Sequence, residues 1–143
     1  MSIYSNLPIY NNIFSLLKEL YLRVPKFSKE YKYLLGEKMI KCCVDSLVLI
    51  NQISFSKERV ERINLLMRLE DNMNVLMVHT RIANELNQLV KKDNYFFLSQ
   101  KIIEILNQAE NWKKFLQKKK CSQNCTSDGS ASVDKKIPLP TPS

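Results

Sequence analysis

Hydrophobic positions recur at three- and four-residue intervals through most of this chain, and that period predicts helices. The clearest case is Tyr95, Leu98, Ile102, Ile105, Ala109, Trp112 and Leu116, spaced 3-4-3-4-3-4. Such a repeat is a heptad seam. Asp93 or Asn94 is the expected cap of this helix, after a short turn around Lys91 and Lys92. Upstream, Tyr10, Ile13, Leu17, Leu20 and Val24 form one apolar face. Asn6 is the expected cap of that helix, Pro8 suits its first turn, and Pro25 should end it.

A second helix should begin near Ser28. Its face carries Leu35, Met39, Cys42, Leu49 and Ile53, flanked by Cys43, Leu47 and Ile50. Gly36 lies inside it, at a cost of about 1 kcal/mol against alanine. Close approach of another helix is the expected compensation. Ser54 to Ser56 make the next break. A long third helix should then run from about Lys57 to about Leu89. Its expected stripe is Ile63, Leu66, Met73, Met77, Thr80 and Ala83, with Leu76 and Leu86 on the flank. Glu70 falls in this stripe, so the seam there is expected to be wet or paired.

Composition agrees with the periodicity. The 143 residues contain two glycines, and no proline lies between Pro25 and Pro138. A β-rich chain needs turn residues far more often. The expected fold is therefore all-α, an antiparallel up-down-up-down four-helix bundle, because short connections make long helices antiparallel neighbours. The bundle is expected over residues 1–120. From Cys121 the composition turns to Ser, Thr, Pro and Asp, and residues 121–143 are expected to be a disordered tail.

Charge adds a functional direction. Residues 1–120 hold 20 basic and 12 acidic side chains, and the tail holds two of each, so the whole net charge of +8 sits on the bundle. A basic fold favours phosphate-bearing partners. The alternating layout puts Lys26 and Lys29 at the same end as Lys91 and Lys92. Arg59 and Arg62 then share the opposite end with Lys113, Lys114, Lys118, Lys119 and Lys120, which is the denser group. Arg81 lies on the second half of the third helix. All twelve are candidate nucleic-acid-binding residues, with contacts mainly to phosphate.

No catalytic constellation assembles. The single histidine, His79, shares a helix face with Val75, Ile82 and Leu86, which suits packing. Helical ribonucleases that need an arginine shortly before a histidine are not matched, since Arg68 is eleven residues upstream. The Glu-x-x-His pairs of di-iron bundles are missing. A glycine-rich phosphate loop cannot be built from Gly36 and Gly129. Cys42 and Cys43 read as core residues, and Cys121 and Cys125 stand without a second pair, a poor zinc pattern. The expectation is a non-enzymatic protein with no cofactor or metal. No secretory leader or membrane-spanning run is apparent, so a cytoplasmic location is expected.

These segments resemble the accessory variability determinant (Avd) proteins of diversity-generating retroelements. They also resemble the wider four-helix-bundle family that includes proteins encoded in ribosomal-RNA intervening sequences. The likeness covers roughly residues 7–118. "LPIYNNIFSLLKEL" is similar to the family's opening helix, and "VPKFSKEYKYLLGEKM" to its turn and second helix, with Leu35, Gly36, Glu37 and Lys38 as the L-G-E-[RK] element. "VLMVHTRIANEL" fits the third helix, and "EILNQAENWKKFL" the closing pattern that ends on Trp112. Glu110 and Asn111 stand where the family usually has two glycines, so the helix is expected to continue through them. The resemblance implies a homopentameric barrel with a basic exterior. It also implies a non-catalytic partner of a reverse transcriptase that binds RNA or DNA in mutagenic retrohoming. Phe96, Phe97, Ile103 and Phe115, left off the seams, suit a protomer interface. The intervening-sequence relatives keep a second reading open: an oligomeric interaction module with no reverse-transcriptase role.

Overall fold

A computed structural model describes residues 7–125, with side chains described to residue 118. Four helices pack around one apolar core. Helix α1 is Pro8–Arg23, followed by a 3₁₀ turn at Val24–Lys26. Helix α2 is continuous through Lys29–Tyr31, a π-helical turn at Lys32–Gly36, and Glu37–Phe55. Helix α3 is Arg59–Glu85 and helix α4 is Lys92–Cys125. Helix α1 packs on α2 and α4, and α3 on α2 and α4. Among the described residues no helix is long and apolar enough to cross a membrane.

The start of α1 differs in detail from expectation. Leu7 holds the cap position, buried and with no side-chain cap bond, and Pro8 opens the helix. Asn6 lies outside the described residues. The α-helix ends at Arg23, just before Pro25 as expected, and Pro25 itself sits in the first turn of the 3₁₀ segment, where its missing N–H is tolerated.

Gly36 is where close approach was expected, and the neighbour is the α1–α2 turn rather than a helix. A Cβ added at Gly36 would stand 2.4 Å from Cγ1 of buried Val24. The π-turn ends at the same residue, where the Glu37 N–H reaches back to the Lys32 carbonyl. Gly36→Ala should therefore destabilise the fold by about 1–3 kcal/mol despite alanine's better helix propensity. Urea denaturation will show it, and Val24→Ala in the same chain should recover most of the loss. Equal stability of Gly36→Ala and the parent would mean that the turn does not sit there.

The seam of α4 is the expected one: Leu98, Ile102, Ile105, Ala109, Trp112 and Leu116 are buried, and Tyr95 is half-buried. Trp112 is thus a core residue of the single chain. The helix passes through Glu110 and Asn111 without a break. It also runs on to Cys125, while residues 126–143 of the expected tail lie outside the described residues. Its cap is not what the sequence suggested. Helix α4 already begins at Lys92, and the Asn94 side chain accepts a 2.8 Å hydrogen bond from Arg23 Nη2 instead.

The α3 seam is rotated from expectation, whereas in α2 the expected Leu35, Met39, Leu49 and Ile53 are buried and only the cysteine pair differs. In α3 the buried line is Arg62, Leu66, Leu69, Met73, Leu76, Thr80 and Ala83, while Ile63 and Met77 are only partly buried and Leu86 is exposed. Apolar residues lie nearly all round this helix, Val60, Met67, Val75, Val78 and Ile82 among them, so its pattern alone leaves the inward face ambiguous. In α2, Cys43 is fully buried and Cys42 half-buried, the reverse of the assigned order. Ser46 and Thr80 are buried and donate to the Cys42 and Leu76 carbonyls, both at 2.8 Å, so neither hydroxyl is left unpaired.

Helix α3 stops at Glu85, short of the expected Leu89. Asn87 takes a left-handed φ of 59°. The Gln88 N–H then reaches the Ala83 carbonyl at 2.9 Å and the Asn87 N–H reaches Asn84 at 3.1 Å. This is a Schellman ending with asparagine in the place glycine usually takes.

Candidate nucleic-acid interface

The turn after α1 and the turn after α3 are tied together. The Ser28 N–H donates to Gln88 Oε1 at 2.7 Å, and Gln88 Nε2 donates to the Leu86 carbonyl at 2.9 Å. Gln88 therefore bridges the two turns. One shell further in, the Arg23–Asn94 bond joins the last turn of α1 to the first turn of α4. The grouping expected from connectivity is thus present. Lys26, Lys29, Lys91 and Lys92 are all exposed, and Lys26 and Lys91 line one cavity of about 390 Å³ with Arg23.

Arg23 was missed by sequence reasoning. Its only signal is the i,i+4 spacing from Glu19, with which it pairs. Nothing in that spacing says that the guanidinium also reaches α4, seventy-one positions away. The first turn of α4 adds the positive end of a helix dipole to this surface, partly offset by exposed Asp93.

The opposite group is thinner than the sequence suggested. Arg62 is a correction: it is buried, and its Nε donates to the Ser56 carbonyl at 2.8 Å. Ser56 Oγ in turn donates to Glu61 at 2.7 Å. These bonds satisfy the α2–α3 turn, so the Arg62 charge holds the connection instead of facing solvent. Lys113 is a second correction. It is half-buried and bonds Glu70 at 2.8 Å and Glu110 at 3.1 Å. Glu70 in the seam is therefore paired. Lys114 and Lys118 are exposed, Arg59 is half-buried and engaged, and Arg81 is exposed near the end of α3. The side chains of Lys119 and Lys120 lie outside the described residues.

The Glu70–Lys113–Glu110 cluster has an internal asymmetry. Burial pushes the Glu70 carboxyl up, against the pull of Lys113. The bond from Lys113 holds Glu110 down, and the bond to Glu70 raises Lys113. A raised lysine contributes stability that is present below the ordinary lysine value and lost as pH rises through the raised one. A depressed carboxylate contributes stability present above its ordinary value and lost as pH falls through the lowered one. Lys113→Gln should cost about 2 kcal/mol at neutral pH, since it leaves Glu70 partly buried without its cation. Exposed Lys114 and Lys118 have no such structural duty. Unchanged stability in a denaturant titration of Lys113→Gln would return that lysine to the surface set.

Other reactive groups are quiet. Burial raises the thiols of Cys43 and Cys42, so neither is poised as a nucleophile at neutral pH. His79 is half-exposed, with Nδ1 2.9 Å from the Val75 carbonyl of its own helix. Among the described residues no group of three His, Cys, Asp or Glu could hold a metal ion. Comparison with protein families, curated proteins and solved structures gives no match. The chemistry of the surface is therefore the guide: Lys26, Lys91 and an anchored Arg23 line a concavity, with exposed Lys29 and Lys92 at the same end, and such a set suits phosphate oxygens.

Proposed function

We propose that this chain is a non-catalytic nucleic-acid-binding protein that partners a reverse transcriptase in mutagenic retrohoming, the role implied by its resemblance to the Avd proteins. The observation that carries the nucleic-acid part is the convergence of Lys26, Lys29, Lys91 and Lys92 from two hydrogen-bonded turns on one end of a bundle that holds all of the +8 charge. The reverse-transcriptase part rests on the resemblance. The proposed setting is cytoplasmic, with RNA or DNA bound through phosphate.

The proposed topology is up-down-up-down. Asn12, early in α1, donates to Gln108, midway along α4, at 2.9 Å, while Arg23 at the end of α1 meets Asn94 at the start of α4. Those pairs favour opposite directions for the two helices. The proposed assembly is a homopentamer. Phe96, Phe97, Ile103 and Phe115 are between 37% and 65% exposed in the single chain, which supplies apolar surface for a protomer contact. Sedimentation should return about five times the 16.8 kDa chain mass. A monomer at micromolar concentration would end the barrel reading.

A salt titration tests the binding. Affinity for single-stranded RNA should fall steeply between 50 and 200 mM salt, as counterion release requires. A flat response, or no binding by the assembled protein, overturns the electrostatic mechanism. The same exposed apolar residues favour the second reading, an oligomeric interaction module of the intervening-sequence type. Its sign is capture of a protein partner that survives high salt and loss of the surface lysines.

A further inference from the structure

The cavity between the two turns differs from a flat basic surface. Arg23, Lys26 and Lys91 reach it from the end of α1, the following turn and the residue before α4. Among the described residues no acidic side chain lines it, and Glu19 is bonded to Arg23. Arg23 uses Nη1 on Glu19 and Nη2 on Asn94, and each of these nitrogens carries a second N–H. Leu89, buried, and Val90, 77% exposed, add an apolar wall. The volume of about 390 Å³ lies at the small end of ligand pockets, which span roughly 300–1,000 Å³.

We propose that this cavity is a binding site for a phosphate monoester, with Arg23, Lys26 and Lys91 on the phosphate and Leu89 and Val90 against the group that carries it. A monoester has about 1.5 to 2 negative charges at neutral pH and three free oxygens, which suits cations from three directions. A backbone diester has one charge and must continue on both sides, which a concave site with a buried leucine accommodates poorly. The ligand is therefore a free mononucleotide or the 5′-phosphorylated end of a strand. This goes beyond general polyanion binding, because it requires discrimination by the terminal group.

The test uses the full chain, at one fixed salt concentration. Inorganic phosphate, a nucleoside 5′-monophosphate, and one short single strand with either a 5′-phosphate or a 5′-hydroxyl are titrated in turn. The 5′-phosphorylated strand should bind at least ~10-fold tighter than the hydroxyl strand, the scale of one or two charge-assisted contacts. Lys26→Gln with Lys91→Gln, both at exposed positions, should abolish that ratio without unfolding the protein. Arg23→Lys, which keeps the charge and loses the planar fork, should reduce it. Saturable mononucleotide binding that the double variant removes supports the site even if no strand binds, in which case the nucleic-acid reading fails alone. Equal, tight binding of both strands overturns the site and leaves the nucleic-acid reading standing. Mononucleotide binding indifferent to the double variant also overturns it.

Discussion

Replacing Trp112 with alanine should remove about 3–5 kcal/mol of stability, a large share of what a domain of this size has. The indole is 1% exposed and sits in the α4 seam between Ala109 and Leu116. Its Nε1–H has no partner, so the substitution strands no acceptor and the loss is packing alone. Trp112→Phe should then cost much less, under about 1.5 kcal/mol, since most of the volume stays and an unpaired polar group goes. In thermal unfolding followed by circular dichroism, the alanine variant should melt on the order of 15 °C lower. Both variants must be compared at one protein concentration, because assembly would add concentration-dependent stability. A loss below 1 kcal/mol for Trp112→Ala would mean that the residue is not in the core.

The second large effect concerns binding. Exchanging Lys26, Lys29, Lys91 and Lys92 together for glutamine should lower the slope of log affinity against log salt by about 3 to 4 for RNA or DNA. Between 50 and 200 mM salt, four phosphate contacts amount to roughly 10²-fold in affinity, and the variant should lack that component. The fitting control is Lys18, Lys38, Lys41 and Lys57 exchanged likewise, which removes the same charge from exposed positions elsewhere. If the control loses as much affinity and slope, the effect belongs to net charge and not to this end of the bundle. If neither set matters, phosphate contacts lie elsewhere or are absent.

The structure also changes which end of the bundle looks stronger. Counting basic residues favoured the end with Arg59, Arg62 and the lysines after Trp112. Arg62 is held inside the α2–α3 turn and Lys113 is paired with Glu70, and both bonds join residues that the sequence gives no reason to connect. At the other end Lys26, Lys29, Lys91 and Lys92 all stay exposed, while Arg23 beside them is paired with Glu19. A charge count sees every Lys and Arg alike. It cannot tell a cation spent on a buried carbonyl or carboxylate from one left in solvent.

What the sequence determined by itself was the helical class and the α4 seam, because a 3-4 repeat uninterrupted by glycine or proline permits few other structures. It also determined the joining of the Lys26 and Lys91 turns, since short connections bring alternate turns to one end. It identified Gly36 as a site of close approach, because an interior glycine costs helix stability that must be offset. Only tertiary structure decided which face of α3 is buried. That helix is apolar nearly all round, and its inward line is chosen by what α2 and α4 present. Tertiary structure likewise decided the pairing of Glu70 with Lys113, the retirement of Arg62 from the surface and the recruitment of Arg23. The Glu70–Lys113 and Arg23–Asn94 bonds join residues far apart in the chain, and the Arg62–Ser56 bond spans a turn, so none of them leaves a periodic trace.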